Sequence, residues 1–169
     1  MSTTVLRAAY AVLLLGAAAA TAGDPAAAPL DLASWPRAAL EVVQHDDAAG
    51  PPRKFRFDVW VADTPERGEQ GLMFVRDLPA ERGMIFPFPK PRVVTFWMKN
   101  TYIELDMLFI AAGGRVVKII ERAPPLRLDL LSSQVPVAAV LELRGGETGL
   151  LGLKVGDRVS WKTSPAGAP

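Results

Sequence analysis

Apolar residues occupy every second position in residues 54–62, the most regular stretch of the chain. A period of two places alternate side chains on opposite faces of a strand, so that one face is buried and the other meets solvent. We therefore predict a half-buried antiparallel strand here. Shorter apolar runs, separated by proline or glycine, predict further strands at residues 40–44, 83–88, 92–98, 105–111, 115–122, 137–144 and 155–161.

Residues 64–71 carry the signals that begin and end a short helix. Thr64 is a favourable N-cap, Pro65 suits the first helical position, and Gly71 can end the helix. Gly113-Gly114 can form the tight turn of a hairpin. Many short strands with few helices predict a mainly β fold, a compact β-barrel-like domain of short, mostly antiparallel strands with one or two short helices.

The first 22 residues have the composition of a secretory signal. Arg7 precedes an apolar, alanine-rich run at residues 8–20, and Ala20-Thr21-Ala22 fits a signal-peptidase site. The run is shorter than the roughly 20 apolar residues that cross a bilayer, so we favour cleavage over a retained anchor. The predicted organisation is a signal peptide at 1–22, an Ala/Pro-rich flexible spacer at 23–37, a single domain at 38–163 and a disordered tail at 164–169, in a periplasmic or secreted protein.

Composition argues against several classes of function. Removing Arg7 with the signal, and no acid, changes the formal net charge from +1 to zero, and the basic residues are interspersed with acids. We therefore expect no nucleic-acid partner and no stable membrane insertion after cleavage. The absence of cysteine and the single histidine, His45, argue against disulfides, Cys–His or Ser–His–Asp catalysis and a zinc site. We expect a monomer without a cofactor or metal ion.

Residues 96–101, Phe-Trp-Met-Lys-Asn-Thr, place polar groups among large apolar side chains, and Asp106 follows within an apolar run. A buried polar group without a partner costs about 1 to 3 kcal/mol, so each of these groups needs a partner. Asp106 is a candidate partner for Lys99; the alternative, which we favour, is that Lys99 reaches solvent while Asp106 caps a turn or accepts backbone N–H groups. Asn100 and Thr101 either build a turn or present an amide and a hydroxyl to a ligand.

Arg67 and Arg76 flank Gly71-Leu72-Met73 and are suited to bidentate capture of a ligand carboxylate or phosphate. An internal salt bridge, for example from Arg67 to Asp106 or Glu142, is an equally good explanation.

These motifs together resemble the domain-of-unknown-function 192 family of bacteria and archaea. The resemblance covers about residues 38–162 and lies in Arg67, Gly71-Leu72-Met73, Arg76, Gly83-Met84, Phe86, Phe96-Trp97-Met98-Lys99-Asn100-Thr101, Leu105-Asp106, Phe109, Glu142 and Gly156-Asp157. It implies a compact, β-barrel-like and commonly exported domain. Members have no assigned activity, so the resemblance implies no catalytic residues.

Three functions are compatible with the sequence. The first is binding of a small polar or anionic ligand, or of an envelope glycan fragment, by residues that we expect to converge: Arg67, Arg76, Trp97, Lys99, Asn100, Thr101, Asp106 and Glu142. The second is hydrolysis, with Asp106 or Glu142 as acid or base and Lys99 as an electrostatic partner. The third is a structural or interaction module in which residues 96–101 form an internal polar clasp.

Overall fold

The computed structural model describes residues 29–45 and 51–164 of the chain. A 3-10 turn, Leu32–Ser34, precedes the first strand. The strands are β1 (Arg37–Val43), β2 (Lys54–Val61), β3 (Arg82–Arg92), β4 (Thr95–Phe96), β5 (Leu105–Ile110), β6 (Val116–Ala123), β7 (Leu131–Ser132), β8 (Val137–Arg144) and β9 (Arg158–Ser164), and the helices are α1 (Pro65–Gln70) and α2 (Glu147–Leu151). The predicted mainly β fold with short helices is confirmed.

One mixed sheet of seven strands has the order β6-β5-β8-β3-β2-β1-β9, and β4 pairs with β7 in a separate ribbon. Neighbouring strands in the sheet are antiparallel except β2 and β3, which run parallel and are connected through α1. A closed barrel is not found among the described residues. The outer edges of the sheet meet around an isolated bridge between Arg115 and Arg158, so barrel-like closure stays a prediction.

Apolar side chains are buried on both faces of the sheet. The Leu141 cluster, on one face, includes Leu40, Val42, Phe57, Val59, Ile85, Leu108, Leu141 and Leu143. The Met84 cluster, on the other, includes Trp35, Leu72, Met84, Phe86, Met98, Met107, Phe109 and Val140. Because side chains alternate along a strand, Glu142 of β8 points to the same side as Val140 and faces the Met84 cluster.

Trp35 anchors the segment before β1 to the rest of the molecule. Its side chain is buried in the Met84 cluster, and the Arg67 guanidinium lies 5.7 Å from its ring. Residues 32–37, for which the sequence predicts a flexible spacer, therefore belong to the folded domain. The predicted signal peptide and residues 165–169 of the predicted tail lie outside the described residues. Across the described ranges, no helix has the length and hydropathy needed to span a bilayer.

Helix α1 and the hairpin between β5 and β6 form where the sequence predicts them. The Arg67 N–H donates to the Thr64 hydroxyl oxygen at the start of α1, and the Gly71 N–H donates to the Arg67 carbonyl at its end. The hairpin turn places Gly113 and Gly114 at φ of 85° and 84°. A Cβ at Gly114 would lie 2.3 Å from the Val159 carbonyl oxygen, so glycine is required there for close packing as well as for its backbone conformation.

A buried carboxylate, Asp106, connects β5 to β6 and to the start of α2. Its side chain is 0% exposed. One carboxylate oxygen accepts the Arg122 and Gly146 N–H groups at 2.8 Å each, and the other accepts the Thr148 N–H at 2.8 Å and the Thr148 hydroxyl at 2.6 Å. Gly146 is the N-cap of α2 and has no side chain that could accept a hydrogen bond from the first turn of the helix. Asp106 of β5 supplies this acceptor instead.

Replacing Asp106 with Asn is expected to lower the free energy of unfolding by about 2 to 5 kcal/mol, because an amide nitrogen leaves at least one buried N–H without an acceptor. Urea unfolding of the full chain measures this. Asp129→Asn is the control, since Asp129 is an exposed carboxylate that pairs with Arg127. Equal stability of the two variants would contradict the structural role of Asp106.

Candidate functional site

Residues 97–101 form a turn that follows the short strand β4. Asn100 has a φ of 55°, and the Thr101 N–H donates to the Met98 carbonyl at 3.2 Å. The buried Thr101 hydroxyl donates to the Lys99 carbonyl at 3.3 Å. Asn100 and Thr101 thus build the turn, which was one of the two roles considered for them.

Lys99 and Asp106 do not pair; the structure shows the favoured alternative, in which Lys99 reaches solvent and Asp106 accepts backbone N–H groups. Lys99 is exposed, and its ammonium lies 5.0 Å from the centre of the Trp97 ring. Asp106 lies between Leu105 and Met107, both in the Met84 cluster, and therefore points towards the opposite face of the sheet. With four hydrogen bonds and no exposed surface, Asp106 is inaccessible to a ligand.

Arg67 and Arg76 have separate partners instead of a shared ligand-binding rim. Arg67 pairs with Asp63 at 2.5 Å, one helical turn earlier, and stacks on Trp35. The salt bridge considered for it, to Asp106 or Glu142, does not form. Arg76 is exposed, with its guanidinium 4.7 Å from the centre of the Tyr102 ring. The two arginines are therefore not arranged to clamp one anion.

Glu142 is the most unusual ionisable residue in the described part of the chain. It is 4% exposed and lies between Met84 of β3 and Met107 of β5, its partners in the two adjacent ladders. Among the described residues, nothing forms a hydrogen bond or ion pair with its carboxyl. Burial raises the pKa of Glu142 from the usual 4.5 to about 8, so the carboxyl is protonated at neutral pH.

A cavity of about 30 Å³ lies beside Glu142 and brings three of the predicted site residues together. Trp97, Thr101 and Glu142 line it, together with residues 68–73, which include Glu69. Because Gly68, Glu69 and Trp97 are exposed, the cavity lies just below the surface. Its volume suits about one water molecule. Asn100 is close to its wall, with the amide nitrogen 3.9 Å from the Met73 sulfur.

A much larger cleft, of about 610 Å³, lies on the other side of α1. It is lined by Ala62, Asp63, Thr64, Pro65, Gly68, Phe86, Pro87, Phe88, Pro89, Arg92, Val93, Val94, Thr95 and Phe96. Phe86 and Phe96 meet edge to face, with ring centres 5.1 Å apart, and the Arg92 guanidinium lies 4.8 Å from the centre of the Phe88 ring. The cleft combines aromatic walls with two threonine hydroxyls, an aspartate and an arginine.

This cleft was not predicted from the sequence, although the spacing of the prolines in β3 indicates an interruption of the sheet at this place. Pro87, Pro89 and Pro91 occupy alternate positions in β3, and proline has no N–H to donate to a neighbouring strand. The pairing of β3 with β8 accordingly stops at Pro87 and resumes, with a shifted register, at Arg92. Residues 88–91 have no partner in β8, and Phe88 and Pro89 from this stretch line one wall of the cleft.

The charges at the cleft are unequal. Asp63 is already paired with Arg67. Arg92 is exposed and has no carboxylate partner within the described ranges. The cleft therefore presents a cation whose charge is not neutralised by any carboxylate of residues 29–45 and 51–164. No three carboxylate or histidine side chains in the described residues are grouped closely enough to hold a metal ion.

Solved structures similar to this chain include the following two. A crystal structure of a "putative transcription regulator" from Sinorhizobium meliloti 1021 has 40% sequence identity and a TM-score of 0.71, covering 76% of this chain and 95% of its own. A protein of unknown function from Novosphingobium aromaticivorans DSM 12444 has 37% identity and a TM-score of 0.66, covering 72% of this chain and 84% of its own. No curated protein matches.

The DUF192 family model, described as "Uncharacterized ACR", matches residues 48–161. This range contains the turn at residues 97–101, the buried Asp106 and Glu142, and all the residues that line the cleft. It agrees with the resemblance found in the motifs. The chain belongs to the DUF192 family of uncharacterised proteins.

Proposed function

We propose that this chain is an exported, monomeric ligand-binding domain, and that the cleft beside α1 takes a small anionic glycan fragment. The observation that carries the proposal is a cleft of about 610 Å³ that combines aromatic walls with Arg92, which has no carboxylate partner in the described part of the chain. Ligand sites for small molecules are commonly apolar clefts of about 300 to 1,000 Å³ with a few polar groups that fix orientation.

The chemistry of the lining favours a sugar acid over a purely apolar ligand. A pyranose ring presents C–H groups on its faces, which can pack on the half-buried rings of Phe88 and Phe96. Its hydroxyls can bond to Thr64 and Thr95, which line the cleft. A carboxylate on the sugar matches the planar guanidinium of Arg92, which can bind it through two parallel hydrogen bonds.

The relative named as a transcription regulator is compatible with a ligand-binding role, since regulators commonly respond to small molecules. We do not extend that name to nucleic-acid binding. The chain has 19 basic and 18 acidic residues, which leaves little electrostatic attraction for a phosphate backbone.

The cleft proposal predicts that acidic sugars bind more tightly than neutral ones. Titration calorimetry of the full chain with digalacturonic acid and N-acetylmuramic acid, against the neutral disaccharide cellobiose, tests this. Arg92→Ala is expected to weaken acid binding roughly ten- to hundredfold, the usual effect of losing hydrogen bonds to a charged group. Arg56→Ala is the control, because Arg56 is an exposed arginine on β2 at 3.8 Å from Glu41. Equal affinities for the two variants would contradict the proposal.

Export is proposed from Arg7, the apolar run at residues 8–20 and the Ala20-Thr21-Ala22 pattern. Cleavage after Ala22 would make Gly23 the first residue of the exported chain. Intact-mass analysis of the chain recovered from the periplasm or medium measures this directly. Ala20→Arg is expected to block processing, because the peptidase requires a small residue there. An uncleaved wild-type chain in the cytoplasm would contradict export.

A second candidate function is hydrolysis, and the environment of Glu142 favours it. A carboxyl that is protonated at neutral pH and lines a cavity together with a tryptophan has the properties of a general acid. Glu69, an exposed carboxylate at the same cavity, is available as its counterpart. Asp106 and Lys99, the other groups considered for this chemistry, lack the required access and pairing. The cavity holds about one water molecule, so substrate would have to bind over Trp97.

Glu142→Gln is expected to change how stability depends on pH. Between pH 4.5 and about 8 the unfolded chain loses the Glu142 proton while the folded chain keeps it, so the wild-type free energy of unfolding falls as pH rises. Gln cannot ionise, so from pH 5 to 9 the wild type should lose roughly 3 to 5 kcal/mol relative to the variant. Urea unfolding across this range measures the difference.

Glu121→Gln is the control for both properties, because Glu121 is an exposed carboxylate on β6. It should follow the wild-type stability curve. For hydrolysis, release of reducing ends from envelope glycans should decline above about pH 8, where Glu142 ionises, and should be lost in Glu142→Gln but kept in Glu121→Gln. Stability curves of the same shape for wild type and Glu142→Gln would contradict the protonated state, and unchanged hydrolysis in that variant would exclude its role as the acid.

A further inference from the structure

Three leucines are exposed together on the connection between β6 and β7. Leu126, Leu128 and Leu130 are 57%, 65% and 68% exposed. Trp97, Tyr102 and Phe74 are also exposed large hydrophobic residues. We call these six residues the leucine patch. Single exposed apolar residues are common on proteins, but a contiguous group usually marks an interaction surface.

Hydrogen bonds hold the segments that carry the leucine patch side by side. The Met98 N–H donates to the Arg127 carbonyl at 2.9 Å, and the Leu126 N–H donates to the Thr101 carbonyl at 3.1 Å. The Phe74 N–H donates to the Asn100 carbonyl at 2.8 Å. The Phe74 and Tyr102 rings pack edge to face at 6.3 Å. The six side chains therefore belong to one surface.

The exposure of the leucines is imposed by the backbone of this segment. Leu126 has a φ of 60°, a conformation that leucine rarely adopts. The backbone hydrogen bonds of Leu126 and Arg127 hold this segment against residues 98–101. The pairing of β7 with β4 holds the end of the segment that follows. The fold thus holds three apolar side chains in water, at a cost in hydration free energy that burial against a partner would remove.

The segments that form the patch carry three cations, Arg76, Lys99 and Arg127, and two carboxylates, Asp77 and Asp129, which leaves an excess of one positive charge. Arg76 stacks on Tyr102, Lys99 stacks on Trp97, and neither cation has a carboxylate partner among the described residues. Arg127 is neutralised by Asp129 at 3.0 Å, and Asp77 is exposed next to Arg76. Two cations thus flank exposed leucine, tryptophan and tyrosine side chains.

We propose that the leucine patch docks on the surface of an anionic phospholipid bilayer. Tryptophan and tyrosine favour the level of the lipid headgroups, and lysine and arginine extend to the headgroup phosphates while their stems remain in apolar surroundings. The leucines enter the boundary of the acyl chains. A protein partner would use Trp97, Tyr102 and Arg76 as its main contacts, but it would leave the three leucines, which rarely dominate protein interfaces, without a comparable role. This contact is peripheral and does not require a membrane-spanning segment.

Site-specific labelling tests the proposal in the full chain, which contains no cysteine. Leu128→Cys carries a polarity-sensitive fluorophore in the patch, and Leu150→Cys carries it at a control site, since Leu150 lies on α2 and is 74% exposed. Vesicles of phosphatidylglycerol mixed with phosphatidylcholine provide the anionic surface, and phosphatidylcholine alone provides a neutral one. The apolar run at residues 8–20 is present in every variant, so its own affinity for lipid is common to all.

The anionic vesicles are expected to shift the emission of the label at 128 to shorter wavelength with a severalfold increase in intensity, and to leave the label at 150 unchanged. Arg76→Gln with Lys99→Gln should weaken partitioning roughly thirtyfold, since each surface cation contributes a factor of about five and the two factors multiply. All the substituted residues are exposed, so melting temperatures should remain those of the wild type.

Three results would overturn the proposal. The label at 128 could remain in water when vesicles are added, or both labels could respond equally, which would mean adsorption elsewhere on the chain. The label at 128 could also respond to protein concentration without lipid, which would identify a second copy of the chain as the occupant.

Discussion

The buried carboxylate of Asp106 holds together parts of the chain that are far apart in sequence. Its two carboxylate oxygens accept hydrogen bonds from Arg122 in β6 and from Gly146 and Thr148 at the start of α2. Gly146 lies 40 residues after Asp106 in the sequence. This fixes the end of β8 against β5 and so maintains the register in which Glu142 lies between Met84 and Met107. The position of the candidate acid thus depends on a hydrogen-bonded group on the opposite face of the sheet.

Asp106 and Glu142 show two different outcomes for a buried carboxyl. Asp106 receives four hydrogen bonds, which offset the loss of hydration. Glu142 has methionines on both sides and receives none from the described residues, so it keeps its proton instead. A leucine would fill a similar space without the free-energy cost of burying a carboxyl group that has no hydrogen-bond partner. The retention of an ionisable group at such a position is characteristic of sites where protonation has a use.

Local features of the chain were readable from its sequence, and long-range ones were not. The period of two in β2, the Thr64-Pro65 start of α1 and the Gly113-Gly114 turn depend on neighbouring residues, and all form as predicted. Helix α2 was missed because its cap is Asp106, on a distant strand. Lys99 and Asp106 are close in sequence, but Lys99 lies in an exposed turn whereas Asp106 is buried on the side of the sheet opposite the Met84 cluster. Their proximity along the chain was therefore misleading. Glu142, Trp97 and Thr101 do line one cavity, whereas the cleft depends on where β3 leaves β8.

The first and last strands of the domain lie side by side, since each residue of Arg37–Val43 is paired with one of Arg158–Ser164. Val159 and Trp161 complete the packing of the Leu141 cluster from this last strand. Such distant pairing is slow to form, and here it must wait until the ribosome has made the final residues. Until residues 158–164 have been synthesised, β1 therefore has one edge without its partner strand.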